Sequence, residues 1–90
     1  MRINGKKKLL DFMQRTPAAA PALRLWAQIT EASVWRDFKA LCAVFPAARA
    51  DDRGRVVFSE PGVYSLLTSP CYDLEIIIVL KVSADNGHTA

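Results

Sequence analysis

The stretch ASVWRDFKALCAVFPAA, residues 32–48, places aromatic and apolar side chains at Trp35, Phe38, Cys42 and Phe45. These positions are three or four residues apart, which is the spacing of one face of an α-helix. Pro46 disfavours helical geometry at the residue before it and so ends the helix. The pattern predicts a short helix, and we expect Trp35, Phe38 and Phe45 to be buried against another layer of the protein.

Two further helices are predicted before this stretch. Residues 6–16 place Leu9, Leu10, Phe12 and Met13 on one side of a helix that Pro17 should stop. Residues 20–32 repeat apolar side chains at positions 22, 25, 26 and 29, the pattern of an amphipathic helix. A brief strand over residues 1–4 precedes both.

The residue types change after the charged turn RADDRG, residues 49–54, to branched and aromatic ones. Three antiparallel strands are predicted over residues 55–60, 63–69 and 73–83, with a hairpin turn at Pro61-Gly62 and a break at Ser69-Pro70. In the last strand, alternation predicts that the even positions 74–82 face the helices and the odd positions 75–83 form a partly open face.

The sequence therefore predicts an α+β fold, with two to three N-terminal helices packed on one face of a small three- to four-stranded antiparallel sheet. At 90 residues, the chain has the length of one domain. We expect that domain to span residues 1–84 and residues 85–90 to be a frayed tail, since the tail has no core residues.

Charge is unevenly distributed along the chain. Residues 1–50 contain nine Lys or Arg and three acidic residues, whereas residues 51–90 contain three and six. An acidic partner is expected to meet the first half. The longest apolar run, IIIVL at 76–80, is far short of the roughly 20 residues of a spanning helix, and the two cysteines form no disulfide framework. We expect a cytoplasmic protein that does not contact a membrane.

The residues WRDFKALCAVFP, followed by GRVVF and then by Gly62 and Tyr64, carry a family resemblance. The chain resembles the HigB-type toxins of the RelE superfamily, which have a Trp, a Phe, a Leu and a closing Phe-Pro at the same intervals. The similarity covers about residues 6–67. It implies a RelE-like fold and a cognate, HigA-like antitoxin, with DNA contacted only through that antitoxin.

The resemblance also implies an activity: such toxins bind the ribosome and cut messenger RNA without a metal or other cofactor. Cleavage of this kind needs a base, an acid and positive charge on the phosphate. The chain departs from the family where those groups usually lie. It has Ser65 after the tyrosine where the family has Arg, and Ile77 and Ile78 in a strand that usually carries a basic pair.

The remaining candidates are few. For catalysis we single out Lys81, which is expected on the open sheet face, and Tyr64, although its alternation with Ser65 also fits a core position. For RNA binding, the candidates are Lys6, Lys7, Lys8, Arg53 and Arg55, each of which also fits a solvated charge. His88 falls in the predicted tail, and Asp51-Asp52 has no further ligand at metal-binding spacing.

Two functions are consistent with these residues. The first is the toxin of a toxin-antitoxin pair, a ribosome-associated RNA-binding protein with metal-independent messenger-RNA endonuclease activity. The second is a catalytically silent HigB-like protein that binds only an antitoxin or another protein partner.

Overall fold

The computed structural model describes residues 1–85. Among these residues the fold is α+β, as predicted, with three α-helices and five strands. The elements in chain order are β1 (Arg2–Asn4), α1 (Lys6–Arg15), a 3₁₀ turn (Pro17–Ala19), α2 (Ala20–Glu31), α3 (Phe38–Val44), β2 (Arg49–Ala50), β3 (Val56–Glu60), β4 (Tyr64–Cys71) and β5 (Ile76–Ala84). One hydrophobic cluster includes residues from Met1 to Val82.

The five strands form a single mixed sheet in the order β1-β5-β4-β3-β2. The prediction of a three- to four-stranded, purely antiparallel sheet was therefore wrong in two respects. β1 pairs with β5 in parallel, with Ile3 opposite Ile77. The two-residue β2 adds a fifth strand by pairing antiparallel with β3, Arg49 opposite Val57. The strand predicted over residues 1–4 is present as β1, but its parallel pairing was not predicted. β2 is too short for a period-two pattern to reveal it.

The β3–β4 hairpin forms where the sequence predicted it. Its turn includes Gly62, whose φ of 79° lies in the left-handed region that glycine adopts without strain. The predicted break at Pro70 is absent, because β4 continues to Cys71. β3 pairs with β4 only as far as Thr68, so beyond that residue β4 has no strand on its β3 side. A proline is tolerated in such an edge segment.

β5 contains the largest error in the predicted pattern. Ile77 and Val79 are fully buried, whereas Ile78 and Leu80, which we expected to face the helices, are more than one-third exposed. A bulge explains the rest of the strand. Leu67 pairs with Lys81 and Thr68 with Val79, so Leu80 is an extra residue without a partner on β4. The bulge reverses the alternation, which leaves Lys81 on the open face and turns Val82 toward the core.

The buried faces of α1 and α2 differ from the predicted ones. In α1, Leu9 and Phe12 are buried but Leu10 is 57% exposed. In α2 the buried face contains Leu23 and Trp26, whereas Leu25 is 56% exposed. Each helix therefore leaves one large apolar side chain in solvent.

Gly5 fixes where α1 begins. Its φ of 90° is left-handed, and a Cβ added there would lie 2.9 Å from the carbonyl oxygen of Val79. Only glycine allows the chain to leave β1 this close to β5. The first turn of α1 consequently lies beside the part of β5 that contains the bulge.

The predicted short helix is shorter than the stretch that suggested it. α3 begins at Phe38, after Asp37 accepts a hydrogen bond from the Ala40 N–H at 2.8 Å as an N-cap. Trp35 precedes the helix but is buried at 2% exposure. Phe38 and Phe45 are only half-buried, so the prediction of burial holds fully for Trp35 and partly for the two phenylalanines. The fully buried residue of α3 is Leu41.

An aromatic cluster joins this segment to the sheet. The ring of Phe58 on β3 lies 5.2 Å from that of Phe45, 5.3 Å from that of Trp26 and 6.5 Å from that of Trp35. Most of these contacts are edge-on, the arrangement that aromatic rings favour. The helices thus cover the inner face of the sheet, with α1 against β5, α2 against β1, and the aromatic cluster against β3.

None of the helices in residues 1–85 has both the length and the apolar character needed to cross a membrane.

Candidate nucleic-acid interface on the open sheet face

The open face is defined here as the strand side chains that point away from the helices. In paired strands, directly opposite residues point to the same side, so the register shows which side chains are neighbours. One cross-strand row joins Arg49, Val57, Leu67 and Lys81 on β2, β3, β4 and β5. Arg49 and Lys81 are exposed, and Val57 and Leu67 are half-buried. Two cations therefore lie at the ends of one row, about 14 Å apart at three strand spacings.

A third cation joins them from the first strand. Arg2 pairs with Ile76, which in turn pairs with Cys71, and Arg2 is exposed. Within residues 1–85, no strand residue on the open face is acidic. Most acidic residues of the second half of the chain lie in turns or at strand ends instead: Asp51, Asp52, Glu60, Asp73 and Glu75. The open face is consequently positive, although the sequence of the second half is net negative.

Hydroxyl groups form the neighbouring row of the open face. Ser59, Ser65 and Ser83 are directly opposite one another on β3, β4 and β5, and all three are half-buried. Serine hydroxyls donate and accept hydrogen bonds and therefore suit phosphate oxygens and ribose hydroxyls. This row lies next to the row that ends in Arg49 and Lys81.

The remaining part of the open face is apolar. Ile78 and Leu80 are 37% and 36% exposed, and Ile76 is half-buried. The face has no aromatic side chain among its strand residues, so bases would find aliphatic contacts rather than stacking platforms.

The predicted lysines lie in the first turn of α1, which packs beside β5. Lys8 donates from Nζ to the carbonyl oxygen of Leu80 at 3.3 Å, next to Lys81 in the chain. Lys6 is paired with Glu31 at 2.7 Å, and Lys7 is exposed. The structure thus brings Lys8 and the backbone beside Lys81 together, whereas Lys6 is already partly neutralised.

The predicted arginines Arg53 and Arg55 lie at the opposite edge, in and just after the turn that joins β2 to β3. Arg55 donates from Nε to Asp51 at 2.7 Å, and the backbone N–H groups of Arg53 and Arg55 donate to the same carboxylate at 2.9 Å. Desolvation is the largest single effect and raises the pKa of Asp51, but the hydrogen bonds from Arg55 and Arg53 and the Arg55 charge together outweigh it, so the pKa is lowered overall. Arg55 therefore has a structural role in the turn, and Arg53 presents an exposed side chain.

Tyr64 lies on the inner side of the sheet. It is 6% exposed, opposite Glu60 on β3 and Ala84 on β5. Burial, assisted by the nearby Glu60 carboxylate, raises the pKa of Tyr64 to about 12. The phenol is therefore protonated at neutral pH and cannot act there as a general base. Its geometry separates it from Lys81, which faces the other side of the sheet.

The raised pKa of Tyr64 leads to a prediction about stability at high pH. The unfolded chain releases the phenol proton near pH 10, whereas the folded protein holds it to about pH 12. The folded state therefore binds more protons in this window, and the free energy of unfolding should fall as pH rises from about 10 to about 12. Urea denaturation at several pH values should show this decrease, and Tyr64→Phe should reduce it. An equal decrease in Tyr64→Phe would contradict the assignment to Tyr64.

Residues for acid-base chemistry are sparse on the open face. His88, the single histidine of the sequence, lies outside the described residues. Within residues 1–85, no three His, Cys, Asp or Glu side chains come together in a way that could hold a metal ion. Cys71 faces outward, whereas the Cys42 thiol donates a hydrogen bond to the Ala48 carbonyl oxygen at 3.9 Å.

Sequence reasoning missed Arg2 and Arg49. Arg2 lies in the strand predicted over residues 1–4 and Arg49 in the predicted turn over residues 49–54, and both enter the open face through strands of two or three residues. The sequence signal for Arg49 was weak: Arg49 precedes the turn around Gly54, and a chain that reverses there can pair with β3. Only the strand register shows that it ends the same row as Lys81.

A comparison with models of known protein families gives no match, and a comparison with curated proteins gives no relative.

Proposed function

We propose that this chain is a HigB-type toxin of the RelE superfamily, a ribosome-associated protein that binds RNA through the open sheet face and is paired with a cognate antitoxin. The residues of the resemblance support this proposal by their packing. Trp35 and Phe45 contact Phe58, so three members of the quoted pattern form one cluster. The order of elements, with helices first and a strand meander last, also fits.

The observation that carries RNA binding is the charge of the open face. Arg2, Arg49 and Lys81 point outward from a surface with serine hydroxyls and no strand carboxylate. Phosphate contacts by such side chains supply most of the sequence-independent affinity for nucleic acids. Residues 51–90 alone contain more acidic than basic residues, but Arg2 and Arg49 reach the open face from the first half of the chain.

The second candidate function is a silent relative that acts only by binding a protein partner. It is favoured by the chemistry of the same face, since Tyr64 lies on the inner side and no histidine is present among residues 1–85. Efficient RNA cleavage needs a group that moves a proton near neutral pH. Lys81 offers positive charge for a phosphate.

The two candidates are separated by growth experiments. Under the first, induced expression of the chain should arrest growth, and co-expression of the product of the adjacent gene should restore it. Growth that continues unchanged during confirmed expression of folded protein would contradict a toxin function. It would leave the protein-binding role as the better account.

A prediction about chemistry follows from the position of Ser65. Ser65 pairs with Ser83, so it is the diagonal neighbour of Lys81 on the open face. We expect the unmodified protein to cleave message slowly on translating ribosomes, and Ser65→Arg to increase cleavage about tenfold or more by adding a phosphate clamp worth roughly 1.5–3 kcal/mol. The measurement is the rate of message cleavage in a purified translation system.

Ser65→Gln is the matched control, since it adds length without charge and should not give the increase that Ser65→Arg gives. Rapid cleavage by the unmodified protein that Lys81→Ala abolishes would refute the silent candidate and identify Lys81 as the phosphate-binding group. Rapid cleavage that does not depend on Lys81 would contradict the placement of the site.

A further inference from the structure

A groove between α1 and α2 is separate from the open sheet face. It has a volume of about 320 Å³, and its floor is formed by Leu9, Leu10, Met13 and Ala27. Leu10 lines the groove and is 57% exposed to solvent. The core does not need this leucine, because α1 already packs through Leu9 and Phe12. An exposed leucine beside a half-buried methionine is the kind of apolar surface that receives another chain.

The rim of the groove is positive. Arg24 and Lys6 line it together with Gln28, and no acidic side chain does. Lys6 is bonded to Glu31, but Arg24 has no ion-pair partner among residues 1–85. Lys7, in the first turn of α1, adds a further exposed positive charge near the same end. An occupant of this groove should therefore combine apolar and acidic side chains.

We propose that the α1–α2 groove binds an acidic amphipathic helix of a protein partner. An amphipathic helix places apolar residues at i, i+3, i+4 and i+7 into such a groove, with its charged flanks along the rim. This inference rests on the proposed function, since it assigns the antitoxin to a definite surface. It also places the antitoxin on the helical side, away from Arg49 and Lys81.

Two other occupants fit the groove less well. A second copy of the chain would form a symmetric interface, which would bring Arg24 and Lys6 near the same cations of the partner, an unfavourable arrangement. RNA would find no aromatic side chain on which a base could stack, because the lining is aliphatic and polar. An acidic amphipathic helix would pack its apolar side chains on the groove floor and pair its acidic side chains with the cations of the rim.

The matched leucines Leu10 and Leu25 provide the experiment. Both are exposed on helices, at 57% and 56%, but only Leu10 lines the groove. The product of the adjacent gene is the probe, and its dissociation constant for the purified full chain is measured by titration calorimetry. We expect Leu10→Asp to weaken binding at least tenfold and Leu25→Asp to change it less than twofold. Arg24→Glu should weaken binding, and Arg24→Lys should largely preserve it.

Each other outcome overturns the proposal. Equal effects of Leu10→Asp and Leu25→Asp would show that the partner does not bind in the groove. No binding by the unmodified chain would show that the product of the adjacent gene is not a partner. A dimer of the chain that Leu10→Asp disrupts would identify a second copy as the occupant. RNA binding is measured on the same variants. RNA affinity that Leu10→Asp leaves unchanged would show that the RNA-binding proposal holds independently of whether the groove binds a partner.

Discussion

Replacing Trp35 by Ala should lower the free energy of unfolding by about 3–5 kcal/mol, the range for removing a large buried aromatic side chain. Trp35 is 2% exposed and contacts the rings of Phe45 and Phe58. It lies in the loop before α3, so no helical hydrogen bond holds that loop in its place. The lost ring would therefore leave both a cavity and an unanchored segment. Chemical denaturation of the two proteins at the same temperature measures the difference.

Two variants make this prediction specific. Phe38→Ala should cost clearly less, because Phe38 is half-buried. Trp35→Phe should also cost less than Trp35→Ala, since it keeps a ring and removes an indole N–H that is buried and has no hydrogen-bond partner among residues 1–85. If Trp35→Ala and Phe38→Ala destabilise the protein equally, the aromatic cluster does not centre on Trp35.

The second large effect is expected on RNA binding. The double variant Arg49→Glu, Lys81→Glu should lower affinity for a short single-stranded RNA by at least tenfold at low salt, because it reverses both ends of one row. The logarithm of affinity should also depend less on the logarithm of salt concentration, by about 1.4 units, since each phosphate contact contributes about 0.7 for single strands. Fluorescence anisotropy across a salt series measures both quantities.

The control double variant Arg15→Glu, Lys39→Glu makes the same change in net charge. Arg15 and Lys39 are exposed residues of α1 and α3, outside the strands that form the open face. Its affinity should fall much less. Equal losses in the two double variants would mean that RNA responds to total charge and that no particular face binds it.

Much of the fold could be predicted from local sequence patterns. The β3–β4 hairpin follows from alternating residues around Pro61-Gly62, and α2 follows from its helical spacing. The helix faces were harder, because apolar residues surround these helices on more than one side. Leu10 and Leu25 fit an apolar stripe as well as Leu9 and Leu23 do, and only packing against the sheet selects among them.

The candidate site depended on long-range pairing that local patterns do not specify. Simple alternation placed Lys81 on the open face, but it assigned the preceding residues of β5 to the wrong faces. Lys81 lies on the open face only because the bulge at Leu80 reverses the alternation just before it. A one-residue change of register moves every later side chain to the other face. Arg2 and Arg49 became visible only through the pairings of β1 and β2.

The central claim is that RNA contacts the open sheet face, and backbone amide chemical shifts test it most directly. A short single-stranded RNA is added to isotopically labelled protein. We expect the shifts that change to lie around Arg2, Arg49, Ser65 and Lys81, with α1 and α2 unaffected near Leu10. Changes concentrated on the helices, or no changes during titration with a large excess of RNA, would contradict the account.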